Sequence, residues 1–235
     1  MDATSTLLTL FGLWLAAPYV LGPFLVRLGL RAPERYVLPE KAWPEFVNGN
    51  GPVVAGYHGQ LMALGFVPVT ATEVPGVGAA LYIHPVDGST VQLRHTKQFV
   101  SVCFSQEYHD GSRLMVGNAP LPAIYPDWSR RISYYVPEVG HLSRLFDAFK
   151  AIRARQRHGA LLAPDAALQL RREEDYLNAE MDNLLEQGIY SRAVNIGKRA
   201  ITLKGAFYAS WRLAWLSKPV LLRLAAQRAA RAAGS

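Results

Sequence analysis

The sequence has little cysteine and none of the short motifs that accompany common catalytic chemistry. Among its 235 residues there is a single cysteine, Cys103, so the chain cannot form an internal disulfide. It contains no phosphate-binding glycine loop ending in Lys-Ser/Thr, no His-Glu-x-x-His, no Cys-x-x-Cys and no Gly-x-Ser-x-Gly. These absences predict a protein that is not an enzyme and that holds no metal or cofactor. The lone cysteine is typical of a reducing compartment.

The remaining polar candidates do not predict a catalytic centre. The richest cluster is Glu107, His109 and Asp110, with Arg113 near them in the chain. It falls at a predicted hairpin tip, which seldom supplies the pocket that catalysis needs. His58 has no companion between its flanking glycines, so we interpret it as structural.

Charge is absent from residues 3–26, and Arg27, Arg31 and Arg35 follow directly. A helix of this length reaches about 36 Å at about 1.5 Å per residue, against a hydrocarbon thickness of about 30 Å. We therefore interpret residues 1–30 as a single transmembrane anchor.

Two alternatives to a spanning helix stay open. Pro18 and Pro23 each remove a backbone donor, which would suit a kinked, re-entrant or interface-lying helix, although membrane helices tolerate proline. Small residues near Gly22 could mimic a signal-peptidase site. A secretory signal peptide, however, has a cationic start, and here only Asp2 and the N-terminal amine precede the apolar run.

The flanking charge predicts the orientation. Lys and Arg lie only on the C-terminal side of the apolar run, so the positive-inside rule places the N-terminus outside and the rest of the chain in the cytoplasm. The expectation is a single-pass protein of the bacterial inner (cytoplasmic) membrane, with the bilayer as its first partner.

The formal net charge of +7 is concentrated near the C-terminus. Residues 188–235 carry nine basic residues and no acidic one. Anionic lipid headgroups are the nearest acidic partner for a membrane-anchored chain. Nucleic acid is the other usual partner of such a segment and is the less favoured one here.

Residues 31–52 are rich in proline, glycine and asparagine, which predicts an irregular juxtamembrane linker with one short helical turn near residues 41–46. Residues 53–160 are expected to form an α+β cytoplasmic domain. It opens with a helix over residues 53–64 that Gly65 caps.

An antiparallel meander is predicted over residues 67–136, with two Asp-Gly turns inside it. We expect three-residue loops in which Gly88 and Gly111 are left-handed. These loops predict the pairs Ile83 with Val91, Leu81 with Leu93, Phe104 with Val116, and Gln106 with Leu114. The opposite face is then half polar and open to solvent or a partner: Tyr82, His84, Gln92, Arg94, Ser101, Cys103 and Ser105.

After a loop over residues 118–126, residues 128–135 predict a further strand at the sheet edge. A helix is expected over residues 141–158 with Gly159 closing it, and another from about residue 165 to 187 with Gly188 as its cap. The acidic residues of the second helix are interpreted as a solvated face: Glu173, Glu174, Asp175, Glu180, Asp182 and Glu186. Residues 161–235 as a whole predict a helical segment with a small hairpin and a basic amphipathic C-terminal helix.

Residues 184–205 follow the order helix end, strand, turn and strand. This stretch resembles the one that closes many winged-helix DNA-binding domains, although no recognition helix is evident upstream. The resemblance implies a membrane-tethered DNA binder. The alternative is a β-hairpin that packs on the neighbouring helices.

Phe207, Trp211 and Trp215 recur every four residues and so lie along one side of a predicted helix that Pro219 interrupts. Cations within this stretch disfavour a second span, whereas tryptophan beside arginine suits the headgroup boundary. The alternative is that these rings pack on the domain's own core. The residues predicted to contact membrane or partner are Trp14, Tyr19, Phe24, Arg27, Phe207, Trp211, Arg212, Trp215, Lys218 and Arg223.

The sequence as a whole predicts an α+β protein with one N-terminal transmembrane helix, an antiparallel meander with flanking helices, and a C-terminal amphipathic helix. We expect a non-catalytic accessory or scaffold subunit that docks on other membrane protein subunits of a larger complex. The alternative is a module that binds a lipid or another apolar ligand at the membrane surface.

Overall fold

The computed structural model describes residues 3–74, 76–119, 125–126, 128–137, 141–156, 160–214 and 216–234. Contacts divide the chain into two compact units. Unit 1 comprises Met1–Tyr36, Leu121–Pro126 and Asn178–Leu222. Unit 2 comprises Val37–Pro120, Asp127–Leu177 and Arg223–Ser235.

Unit 1 opens with two consecutive helices, α1 (Ala3–Val20) and α2 (Gly22–Gly29). Pro23 causes the interruption between them, because it has no N–H to donate to the carbonyl of Tyr19 one turn earlier. The 25-residue stretch Ser5–Gly29 is long and apolar enough to cross a membrane, as the sequence predicts, and a signal sequence would meet the same criteria.

A three-stranded antiparallel sheet follows α2 in unit 1. Its order is β1 (Arg31–Pro33), β10 (Lys198–Ile201) and β9 (Tyr190–Asn195). The predicted hairpin is thus present. Strand β10 of this hairpin also pairs with β1, which comes from the segment that we predicted to be an irregular linker.

Helix α6 (Gln169–Glu186) precedes β9 in the chain, and α7 (Leu203–Leu213) follows β10. Gly188 ends α6 at φ +69°, and the amide of Ile189 donates to the carbonyl of Leu184, so the predicted glycine cap is confirmed. The last helix is α8 (Ser217–Ala233). Pro219 lies in the first turn of α8, where a missing N–H costs no hydrogen bond. The core of unit 1 comprises Ala32, Met181, Leu184, Ile189, Tyr190, Ile201, Ala206 and Ala209.

Unit 2 is built on a seven-stranded mixed sheet. Its strands lie in chain order: β2 (Glu40–Lys41), β3 (Val67–Val74), β4 (Val77–Ile83), β5 (Thr90–Thr96), β6 (Val100–Glu107), β7 (Arg113–Gly117) and β8 (Arg131–Tyr135). The α+β class is confirmed, and β8 is the predicted edge strand. The prediction of a purely antiparallel sheet was wrong, because β8 runs parallel to β7. The long connection from Gly117 to Arg131 permits this, whereas a tight hairpin would not.

Three helices lie with this sheet: α3 (Trp43–Gly49), α4 (Gly51–Ala63) and α5 (Leu142–Arg155). The irregular linker predicted for residues 31–52 was wrong, since these residues form β1, β2, α3 and the start of α4. The cap predicted at Gly65 is confirmed: its φ is +88°, and the amide of Phe66 donates to the carbonyl of Leu61 at 3.0 Å. The predicted closing residue Gly159 lies outside the described residues.

The two hairpin registers had different outcomes. The second is confirmed, with Phe104 opposite Val116 and Gly111 at φ +77°. The first was wrong by one residue, because Tyr82 and not Leu81 or Ile83 faces Val91. Here Gly88 is left-handed as predicted, but the loop holds four residues between His84 and Ser89, whose backbones are hydrogen-bonded at 2.8 Å.

Burial of the sheet face opposite the main core explains why the predicted register of β4 was wrong by one residue. Leu81 and Ile83 are buried there, so hydropathy does not specify which face of β4 points to the main core. Residues of α6 within unit 2 contact this face: Glu173 pairs with Arg113, and the Tyr176 ring lies 3.9 Å from the Arg113 guanidinium. The face that we left open to solvent or a partner is therefore partly covered by the chain itself. The solvated interpretation of Glu173 was wrong, since this residue is only 5 % exposed.

Candidate functional site

The apolar helices of unit 1 expose most of their large side chains. The aromatic ring of Trp14 stacks on Phe11 at 6.0 Å, and both side chains are more than half exposed. Burying a side chain of this size is worth about 1.5–3 kcal/mol, so leaving a row of them in water is unfavourable. The exposed apolar side chains of α1, α2 and the residue between them are Leu7, Leu10, Phe11, Trp14, Val20, Leu21, Phe24, Leu25 and Leu28.

Helix α7 packs on α2 through small residues. The Cβ of Ser210 lies 3.2 Å from where a Cβ on Gly22 would be, which shows how closely the two backbones approach. Ala206 and Ala209 complete the buried face of α7, while Phe207 and Trp211 on its other side are 49 % and 54 % exposed. These two rings therefore do not pack into the core of unit 1.

The ten predicted contact residues fall as follows. Trp14, Phe24, Arg27, Phe207 and Trp211 are exposed on α1, α2 and α7, and Arg223 is exposed on the part of α8 that belongs to unit 2. Three others are partly buried. The hydroxyl groups of Tyr19 and Ser217 are 3.5 Å apart, Arg212 lies 4.5 Å from the Tyr208 ring, and Lys218 is in the first turn of α8. Trp215 lies outside the described residues.

Sequence reasoning missed a second surface, the outer face of α4 in unit 2. Only Val54 and Leu61 of this helix are fully buried, and its exposed side chains carry no charge. The signal was available, since no Asp, Glu, Lys or Arg occurs between Glu45 and Glu73. The exposed residues of this face are Val53, Ala55, Gly56, Gly59, Met62 and Ala63.

A buried ionic cluster links β6, β7 and α6 within unit 2. The guanidinium of Arg113, 2 % exposed, donates to Glu173 at 2.5 Å and also to Glu107. Burial alone would raise the pKa of Glu173, but Arg113 and Arg94 outweigh it, so this pKa lies below its usual value. The same two carboxylates raise the pKa of Arg113 despite its burial. Both charges are fixed, so the cluster suits holding α6 on the sheet and not proton transfer.

The polar cluster predicted at the second hairpin is divided by the structure. His109 and Asp110 are exposed at the tip, whereas Glu107 and Arg113 belong to the buried ionic cluster. Asp110 accepts hydrogen bonds from the amide and the hydroxyl of Ser112, at 2.8 and 2.6 Å, which fix the turn. These four residues therefore do not form one reactive site.

His58 is held between two aromatic residues. Its Nδ1 is hydrogen-bonded to the hydroxyl of Tyr82 at 3.0 Å, and its ring stacks on Trp43 at 5.1 Å. Burial lowers the pKa of His58, so the imidazole is neutral at pH 7. These contacts are consistent with the structural interpretation of this histidine.

A cleft of about 510 Å³ lies beside β2 and β3 in unit 2. Its charged lining is Glu40, Arg171, Glu174 and Asp175. Two of these carboxylates are already occupied, because Glu40 accepts from Thr70 at 3.2 Å and Glu174 accepts from the amide of Leu38 at 2.9 Å. Within the described ranges, no group of three or more His, Cys, Asp and Glu residues could hold a metal ion.

Comparison with protein-family models, with curated proteins and with solved structures gives no significant match in any of the three.

Proposed function

We propose that this protein is a non-catalytic accessory or scaffold subunit of the bacterial inner membrane. Helices α1 and α2 anchor it with the N-terminus outside, and unit 2 docks from the cytoplasm on a larger membrane protein complex. The observation that carries the docking proposal is the uncharged outer face of α4.

Two glycines make this face unusual for a surface that only water covers. Glycine inside a helix costs about 1 kcal/mol relative to alanine. A Cβ at Gly56 or Gly59 would meet no atom within 4 Å, so packing inside the chain does not require glycine at either position. Glycine on a helix face lets the backbone of a partner approach closely.

The packing of the main core of unit 2 favours a docking subunit over a module that binds an apolar ligand. The rings of Phe66, Phe104, Phe146 and Phe149 pack against one another between the sheet and α5, with centroid distances of 5.2–6.2 Å. Phe66, Phe104 and Phe149 are almost completely buried. Among the described residues, the protein's own aromatic side chains occupy this core.

The test is purification of the full chain from its native membrane in mild detergent, followed by mass spectrometry and measurement of partner stoichiometry. Gly59→Glu places a charge on the outer face of α4 without a steric clash. We expect it to weaken retention of a stoichiometric partner about tenfold or more, equivalent to about 1.4 kcal/mol.

The matched control is Val86→Glu, which adds the same charge at an exposed position in the first hairpin loop. It should leave the partner bound. Equal retention by both variants, or no stoichiometric partner for the unaltered chain, would contradict docking through α4.

A further inference from the structure

Helix α7 has a fixed position relative to the candidate membrane helix, because both belong to unit 1 and pack closely. Gly22 of α2 meets Ser210 near the C-terminal end of α7. Val26 and Leu30, further along, pack on the cluster that contains Ala206 and Ala209. The two helices are therefore antiparallel, and the C-terminal end of α7 lies near the end of α2 that joins α1.

The start of α8 lies beside the C-terminal end of α1. The hydroxyl of Ser217 lies 3.5 Å from that of Tyr19, near the C-terminal end of α1. Gly22 precedes the end of α2 at Gly29 by about 10 Å, at about 1.5 Å per residue. The C-terminal end of α7 and the first turn of α8, which together form the corner, therefore lie beside Tyr19 and Gly22, about 10 Å from the C-terminal end of α2.

The side chains of this corner match the chemistry of an anionic headgroup layer. Phe207 and Trp211 point away from α2, where acyl chains would meet them. Arg212 lies 4.5 Å from the Tyr208 ring and Lys218 lies in the first turn of α8, so two cations belong to this corner. Tryptophan, tyrosine and long cationic side chains bury their apolar parts while their polar ends stay hydrated.

We infer that α7 and the first turn of α8 form a second, interfacial membrane contact, which inserts Phe207 and Trp211 among the acyl chains and binds anionic phospholipid headgroups through Arg212 and Lys218. This inference rests on the proposed anchor, since α2 sets the depth of α7.

The test places an environment-sensitive fluorophore on single cysteines of the full chain, in a Cys103→Ser background, reconstituted into vesicles that carry acyl-chain nitroxide quenchers. Trp211→Cys reports on α7 and Leu10→Cys reports on α1. Ile196→Cys, at the 92 % exposed hairpin tip, is the matched control. Vesicles are phosphatidylcholine alone or mixed with phosphatidylglycerol.

We expect lipid quenching at residues 10 and 211 and not at residue 196. Phosphatidylglycerol should increase quenching at residue 211 at least twofold, and Arg212→Gln with Lys218→Gln should abolish that increase. Phe207→Cys repeats the measurement if Trp211→Cys fails to fold. Quenching at residue 10 but not at residue 211 would overturn the inference and leave the anchor standing, whereas the absence of both would overturn the two together. Equal quenching at residue 211 in both lipids would overturn headgroup binding.

Discussion

Gly111 closes the second hairpin in a conformation that side chains with a Cβ rarely adopt. Its φ is +77°, and its amide donates to the carbonyl of Tyr108 at 3.0 Å. A left-handed residue with a Cβ is strained by about 1–2 kcal/mol. We predict that Gly111→Val lowers the free energy of unfolding by about that amount or more, measured by denaturant titration.

Asparagine provides the control, because its side chain tolerates the left-handed region better than valine does. Gly111→Asn should retain most of the stability that Gly111→Val loses. Equal, negligible effects of the two substitutions would show that the turn does not depend on a left-handed residue.

The buried pair of Arg113 and Glu173 should make stability depend on acid. Because the pKa of Glu173 is lower in the folded protein, its contribution is complete above the unfolded value of about 4.5 and is lost as pH falls through the folded value. We predict that the free energy of unfolding falls below about pH 4.5, more steeply for the unaltered chain than for Glu173→Gln.

Removing one partner should also be costly at neutral pH. Glu173→Ala leaves Arg113 buried with only Glu107 to balance it, which for a buried pair costs about 3–5 kcal/mol. A loss below about 1 kcal/mol, or identical acid profiles for Glu173→Gln and the unaltered chain, would show that α6 does not depend on this ion pair.

At the scale of secondary structure, two helix glycines have opposite roles. A Cβ at Gly205 of α7 would collide with the carbonyl oxygen of Ile189 and approach Cγ1 of Ile201 at 2.8 Å, whereas one at Gly56 of α4 would meet nothing within 4 Å. We predict that Gly205→Ala destabilises the protein by about 1–3 kcal/mol and that Gly56→Ala stabilises it by about 0.5–1 kcal/mol.

Thermal unfolding of both variants, followed by circular dichroism, measures this contrast. Destabilisation by Gly56→Ala would mean that α4 packs against part of the chain and is not a free surface. A neutral Gly205→Ala would mean that α7 does not contact the β9–β10 hairpin as closely as described.

Local signals predicted the elements better than the way they pair. The glycine caps at Gly65 and Gly188 and the left-handed Gly88 and Gly111 follow from chemistry within a few residues, and all four are confirmed. The parallel pairing of β8 depends on a long connection, and the register of β4 depends on burial of both sheet faces. Neither cause is visible in local periodicity.

The candidate sites divide in the same way. That Phe207 and Trp211 share one side of α7 follows from helical spacing, which the sequence shows, whereas their exposure is seen only in the structure. The packing of α7 on α2 could not be predicted, because it brings together residues almost two hundred positions apart through glycine, alanine and serine, which have no distinctive hydropathy. Likewise, nothing local showed that Glu173 pairs with Arg113.

For the whole molecule, the exposed apolar surface of α1, α2 and α7 supports the central proposal, which is that the chain spans a membrane once and keeps unit 2 in the cytoplasm. Leu28 is 76 % exposed and its apolar neighbours on α2 also face outwards, where a bilayer would cover them. Both the accessory function and the lipid contact of α7 depend on this topology.

The most direct test is side-selective labelling of single cysteines in intact cells with a membrane-impermeant maleimide, again in a Cys103→Ser background. Ser5→Cys lies at the start of the Ser5–Gly29 stretch, and Ile196→Cys lies at the hairpin tip of unit 1. We predict that Ser5→Cys is labelled from outside and that Ile196→Cys is labelled only after the membrane is permeabilised. Labelling of Ile196→Cys in intact cells, or recovery of a chain cleaved after the apolar run, would contradict a single-pass protein with a cytoplasmic domain.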